Sequence, residues 1–145
     1  MTDRPVTVRP ATIDDAERIA ALFTDEGYPA AGSTIAARIE RFEAGNGHVL
    51  VAEDAGELLG FVALHLMPRF EHDDTIGRVL ALVVDAGARG RGVGHDLMTA
   101  ADGIAREAGA AFIEVTAAHH RPEARHLYEA MGYDASVTAY LRKRL

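Results

Sequence analysis

Val83-Val84-Asp85-Ala86-Gly87-Ala88-Arg89-Gly90-Arg91-Gly92-Val93-Gly94 runs from an apolar strand through a short turn into a helix start crowded with glycines. Glycine has no Cβ, so the backbone can come close to a bound group and aim successive N–H donors at it. A helix N-terminus adds partial positive charge, and Arg89 and Arg91 add full charges on forked donors. The segment reads as an anion site. Two common phosphate loops are excluded by spelling. A Walker loop closes on Gly-Lys-Ser/Thr, whereas this one closes on Gly-Val-Gly-His. A dinucleotide fingerprint needs Gly-x-Gly-x-x-Gly near the chain start and an acid about 20 residues later. Gly90, Gly92 and Gly94 have a different spacing and lie in the second half of the chain.

On either side the hydrophobic period changes. Residues 76–84 are nearly all apolar, the pattern of a central strand buried on both faces. After the loop, Val93, Leu97, Ala100, Ala101, Ile104 and Ala108 recur at helical spacing, and Gly109 stands where a helix end wants a left-handed residue. Residues 112–116 predict a strand, and Pro122 opens a helix with Ala124, Leu127, Tyr128 and Met131 that Gly132 closes. Toward the N-terminus, Val6-Thr7-Val8-Arg9 predicts a short strand ended by Pro10. Thr12 and Asp15 form a capping-box pattern ahead of Ala16, Ile19, Ala20 and Phe23, and Ser33 is a candidate cap for a second helix bearing Ile35, Ile39 and Phe42. Residues 48–53 and 58–67 predict two strands joined by the turn Asp54-Ala55-Gly56-Glu57. The tail, residues 133–145, is expected to add one or two strands, centred on Thr138-Ala139-Tyr140-Leu141. The predicted fold is mixed α/β, a twisted sheet of six to seven strands flanked by about four helices, in one domain over residues 1–145.

Composition narrows the function. With 48% hydrophobic and 26% charged residues over 145 positions, the chain has the mix of a packed globular domain. It holds no cysteine, which removes disulfides, thiolate metal sites and thiol nucleophiles. A net charge of -7 argues against a nucleic-acid partner, whose binding rests on basic patches. Nothing resembles a secretory leader or approaches the roughly 20 apolar residues that cross a bilayer. The expectation is a cytoplasmic protein with no membrane partner.

Arg89, Gly92 and Gly94 spell an Arg/Gln-x-x-Gly-x-Gly/Ala loop. A second segment, Arg121-Pro122-Glu123-Ala124-Arg125-His126-Leu127-Tyr128-Glu129-Ala130-Met131-Gly132-Tyr133, spells Arg-x-x-Ala-x-x-x-Tyr-x-x-x-Gly-Tyr. In this order the two resemble the GCN5-related N-acetyltransferases (GNAT), and the likeness runs nearly the whole chain. The resemblance implies a GNAT fold and transfer of an acetyl group from acetyl-CoA, a co-substrate, to an amine acceptor. It implies that Leu82, Val83 and Val84 bind the pantetheine arm through their main chains. Arg89, Gly90, Arg91, Gly92, Val93 and Gly94 would take the pyrophosphate, with His95 just behind, and His120 would stand at the cofactor edge. Tyr128 is implied as the acid that protonates the departing thiolate, against the plainer reading that it packs with Leu127 and Met131. Acceptor selection would fall to Glu26-Gly27-Tyr28-Pro29 and to residues 69–74, so that Tyr28, Glu71 and Asp73 are candidate substrate contacts suited to a cationic amine.

Other points stay open at this level. The general base has candidates in Glu71, Asp73, Asp74, His65 and His72. The pair His119-His120 departs from the family pattern, and with His126 it reproduces no known zinc spacing, so no metal is expected. A homodimer through sheet edges or the tail is open, although Arg142, Lys143 and Arg144 equally suit a protected edge. The rival to an enzyme is a non-catalytic module of the same fold that binds acyl-CoA as a sensor. A nucleotide-binding structural domain is a third reading.

Overall fold

The computed structural model describes residues 6–117 and 121–145. Asp15 sets the first helix as the sequence pattern requires: its carboxylate accepts from the Thr12 amide at 2.7 Å and takes both terminal nitrogens of Arg9 at 2.9 Å. A 3-10 turn over Ile13–Asp15 leads into helix α1 (Ala16–Asp25), and helix α2 (Gly32–Ala44) follows. The second helix starts one residue before Ser33 without a side-chain cap. Strands β1 (Thr7–Pro10), β2 (Gly47–Asp54) and β3 (Glu57–Pro68) form an antiparallel meander with β4 (Thr75–Val84). Between β2 and β3, Ala55 and Gly56 both have positive φ, the geometry of a two-residue hairpin turn. Helix α3 (Val93–Glu107) then crosses over to strand β5 (Ala110–Val115), which lies parallel to β4, and helix α4 (Pro122–Ala130) closes the order.

The sheet order is β1-β2-β3-β4-β5. One face packs on α3 and α4 around Leu64, Val79, Leu97, Met98 and Ala101, the other on α1 and α2 around Ile19, Leu22, Ile35, Val51 and Phe61. The predicted elements thus form, with one correction. Five strands, not six or seven, make the sheet among the described residues, because residues 133–145 form none. Strand propensity is realised only against a partner edge. Here Tyr140 is held by its ring instead, 5.8 Å from the Arg78 guanidinium and 5.5 Å from that of Arg142, and Val137, Leu141 and Leu145 face solvent.

Candidate active site

Two irregularities in β4 shape the site. Ala63 pairs with Ala81 and Leu64 with Val79, so Leu80 is an extra residue that bulges the strand. On its other side β4 pairs with β5 only as far as Val79↔Val115. Beyond that point residues 80–84 have no strand partner on the β5 side among the described residues, which leaves main-chain donors and acceptors of this stretch free for a ligand.

The glycine loop continues from that open edge. Asp85 is fixed by the Arg18 guanidinium at 3.1 Å, and Arg18 also donates to the Leu58 carbonyl at 3.2 Å, which ties the loop to α1 and β3. Buried Ala88 and Val93 anchor the loop on either side of its glycines. Gly90 and Gly92 have φ of 84° and 79°, where a side chain would be strained, and a Cβ at either would meet nothing within 4 Å. Their backbone therefore borders open space at the N-terminus of α3. Gly94 differs: a Cβ there would come to 3.1 Å of Leu127 and 3.7 Å of Val84, so its missing side chain lets α4 close onto α3 and β4.

Between the end of α1 and this loop lies a groove of about 300 Å³, bordered by Leu22, Asp25, Glu26, Val83, Val84 and Arg89. Glu26 gathers the cations around it. It accepts from Arg89 at 3.1 Å and makes a short contact with Arg121, which also donates to the Glu26 carbonyl at 3.3 Å. Arg91 is held by Asp54 at 2.9 Å, and His95 is exposed in the first turn of α3, 3.9 Å from Asp96. Leu82, Val83, Val84 and the loop residues 89–95 thus form one continuous track. His119 and His120 lie outside the described residues.

Tyr128 is buried in the core beneath α3, its ring 5.8 Å from that of Tyr133. Burial pushes its phenol up from the ordinary tyrosine value, so at neutral pH it keeps its proton. Tyr133 is pushed up further, by burial and then by the charge of Asp102. The Tyr133 hydroxyl and Asp102 Oδ1 are buried and lack a hydrogen bond within the usual distance and angle limits.

The acceptor-side candidates are split. Tyr28 is exposed after α1, with its ring edge-on to Phe23 at 6.3 Å. Glu71 and Asp73 are exposed on the β3–β4 connection, at the opposite end of β4 from the glycine loop. With a strand rise of about 3.3 Å per residue, that end lies roughly 25 Å from Leu82. His65, a candidate base, is 2.9 Å from the Gly45 carbonyl and its ring lies tilted against Phe42, 5.9 Å between centroids. Arg69 closes the same connection on Asp74 at 2.9 Å. Arg18 and the role of Glu26 as a cation clasp were not evident from local sequence, since each depends on contacts distant in the chain. Among the described residues no group of three or more His, Asp or Glu is arranged to hold a metal ion.

A strand with an open edge leading into a glycine-lined helix start agrees with the comparison to known proteins. Over residues 13–133 the sequence matches the acetyltransferase (GNAT) family. The chain belongs to that family. The acetyltransferase is 34% identical over 140 residues to the uncharacterized N-acetyltransferase YhfO of Bacillus subtilis, across 89% of this chain and 90% of that protein. It is also 34% identical over 91 residues to the aminoalkylphosphonate N-acetyltransferase of Salmonella typhimurium. That second match spans 63% of this chain and 59% of the relative's length. Among solved structures, a transcriptional regulator from Bacillus halodurans has the same fold, with a TM-score of 0.89 at 23% identity over 97% of this chain and 100% of that one.

Proposed function

We propose that this acetyltransferase moves the acetyl group of acetyl-CoA to a primary amine of a small-molecule or protein acceptor by direct attack on the thioester. The observation that carries the reading is the continuous track from the open edge of β4 into the N-terminus of α3. An extended arm with free amide groups suits the first part, and a pyrophosphate suits the second. The residues present fit the group, because Gly90 and Gly92 leave open the space that a side chain would fill. Arg89 and Arg91 supplement the loop amides, and His95 and His120 are proposed for its edge.

When bound, acetyl-CoA supplies an acyl carbon on a thiol leaving group, and the amine nitrogen bonds that carbon as the carbon–sulfur bond breaks. Tyr128 gives its proton to the departing sulfur. It regains one from the acylated nitrogen through water, so the phenol is unchanged at the end of the cycle. Before attack the ammonium form of the acceptor loses its first proton to solvent. Tyr28, exposed after α1, is proposed to touch the acceptor. An aminoalkylphosphonate, for which the Salmonella relative is named, belongs among the amines to test. Among the described residues no helix is long and apolar enough to cross a membrane, and the proposed setting is the cytoplasm.

Calorimetry with acetyl-CoA, followed by a thiol-release screen over an amine library, tests the reading. Binding in the range of about 1 μM to 1 mM is expected. No binding would remove the cofactor assignment, and binding without release by any amine would make the chain an acyl-CoA-binding module.

A further inference from the structure

The α1/α2 face of the sheet holds a second hollow, which the track above does not use. Val49 pairs with Ala63 and Ala63 with Ala81, so one row across β2, β3 and β4 carries a valine and two alanines. The neighbouring row carries Val51, Phe61 and Val83. Ala63 and Ala81 of this row, Phe23 of α1 and Ile35, Ile39 and Phe42 of α2 border the hollow. A cavity of about 170 Å³ remains. An apolar cavity of about 150 Å³ holds a benzene molecule, so this one accommodates a side chain of that size.

Arg38 and Arg41 border the same cavity. Steps of about 100° per residue set both on one flank of the stripe Ile35, Ile39 and Phe42. Both are exposed, and neither has an ion-pair or hydrogen-bond partner among the described residues. By contrast, Arg89 and Arg121 at the other groove are both engaged by Glu26. Two uncommitted guanidinium groups beside an apolar hollow, in a chain of net charge -7, complement a ligand that carries a carboxylate next to an apolar group. The alanine row ends at Ala81, next to the bulged Leu80 and the open edge of β4.

We infer that this hollow is the acceptor pocket and that the acceptor is an apolar α-amino acid. Its side chain fills the space over Ala63 and Ala81, its carboxylate meets Arg38 and Arg41, and its amine faces the open edge of β4. The inference rests on the acetyl-transfer reading for the fate of the amine, whereas binding of the amino acid does not depend on it.

Thiol release is measured with leucine and phenylalanine against isopentylamine and phenethylamine, which lack the carboxylate. The wild-type protein should favour each amino acid by about tenfold in kcat/KM, the equivalent of about 1.4 kcal/mol. The double variant Arg38→Gln/Arg41→Gln, on an exposed helix flank, should erase that preference by raising the amino-acid KM, with the acetyl-CoA KM unchanged. Equal or better use of the decarboxylated amines by the wild type, or an unchanged leucine KM in the variant, overturns the inference. If acetyl-CoA binds but no amine releases thiol, the transfer reading fails separately. Calorimetry with leucine alone then decides the pocket: heat lost in the double variant supports it, and no heat in the wild type overturns it.

Discussion

On the proposed mechanism Tyr128 joins two demands that usually conflict, packing as a core residue and keeping a proton to donate. Its burial meets both, because removing the phenolate from water favours the neutral phenol. Tyr128→Phe keeps the ring in its cluster and removes only the donor, so thiol release should fall about 100-fold or more while acetyl-CoA affinity stays unchanged. An unchanged rate would leave Tyr128 as packing alone. The raised phenol also has a sign in pH: the donor form persists below its folded pKa and is lost above it. The basic limb of kcat should therefore begin above about pH 10, the ordinary tyrosine value. Asp15 shows the opposite sign. Its carboxyl is held below the usual range chiefly by the hydrogen bonds from Arg9, against the cost of burial. Its stabilisation is present above the ordinary carboxylate pKa of about 4 and lost as pH falls through the lower folded value. Asp15→Ala removes both the cap and the pair, for a loss of about 2 kcal/mol at pH 7. In urea unfolding the gap between wild type and variant should narrow on acidification, and a gap that widens would contradict this account.

At the scale of elements, the glycines of one loop serve two purposes that the sequence does not separate. Gly92 begins α3 with a left-handed residue facing open space, whereas Gly94 makes room for Leu127 of α4. Gly92→Val should cost about 1–2 kcal/mol of stability through its positive φ, and weaken acetyl-CoA binding at least tenfold in calorimetry. Gly94→Val should instead displace α4, lowering kcat more than acetyl-CoA affinity because Tyr128 rides on that helix. If both variants lose only affinity, the division of roles is wrong. Much of the element order is legible because it is local: the Thr12–Asp15 cap, the Ala55-Gly56 turn and the spacing of Val93, Leu97 and Ala101 each act within a few residues. The tail strand is not legible, since Thr138-Ala139-Tyr140-Leu141 has β propensity but finds rings and guanidinium groups rather than an edge. The alanine floor escapes a linear reading for a related reason. Val49, Ala63 and Ala81 become neighbours only through the register of three strands.

Across the whole molecule, α1 acts as a partition. Leu22, Asp25 and Glu26 border the groove beside the glycine loop, while Ile19 and Phe23 border the hollow over the alanine row. The strand β4 likewise gives Val83 and Val84 to one space and Ala81 to the other. On the proposed acetyl-transfer reading, acetyl-CoA and the acceptor would occupy the protein together, one on each side of the same helix. A chain without cysteine also offers no thiol to carry an acyl group between them. Kinetics should accordingly be sequential: initial rates at several fixed acetyl-CoA concentrations give double-reciprocal lines that intersect. Acetyl-CoA alone should produce no burst of thiol, and the protein mass should stay unchanged. Parallel lines together with a mass gain of one acetyl group would mean that a side chain of this protein takes the acetyl group first, and the two-chamber geometry would then not be the basis of the reaction.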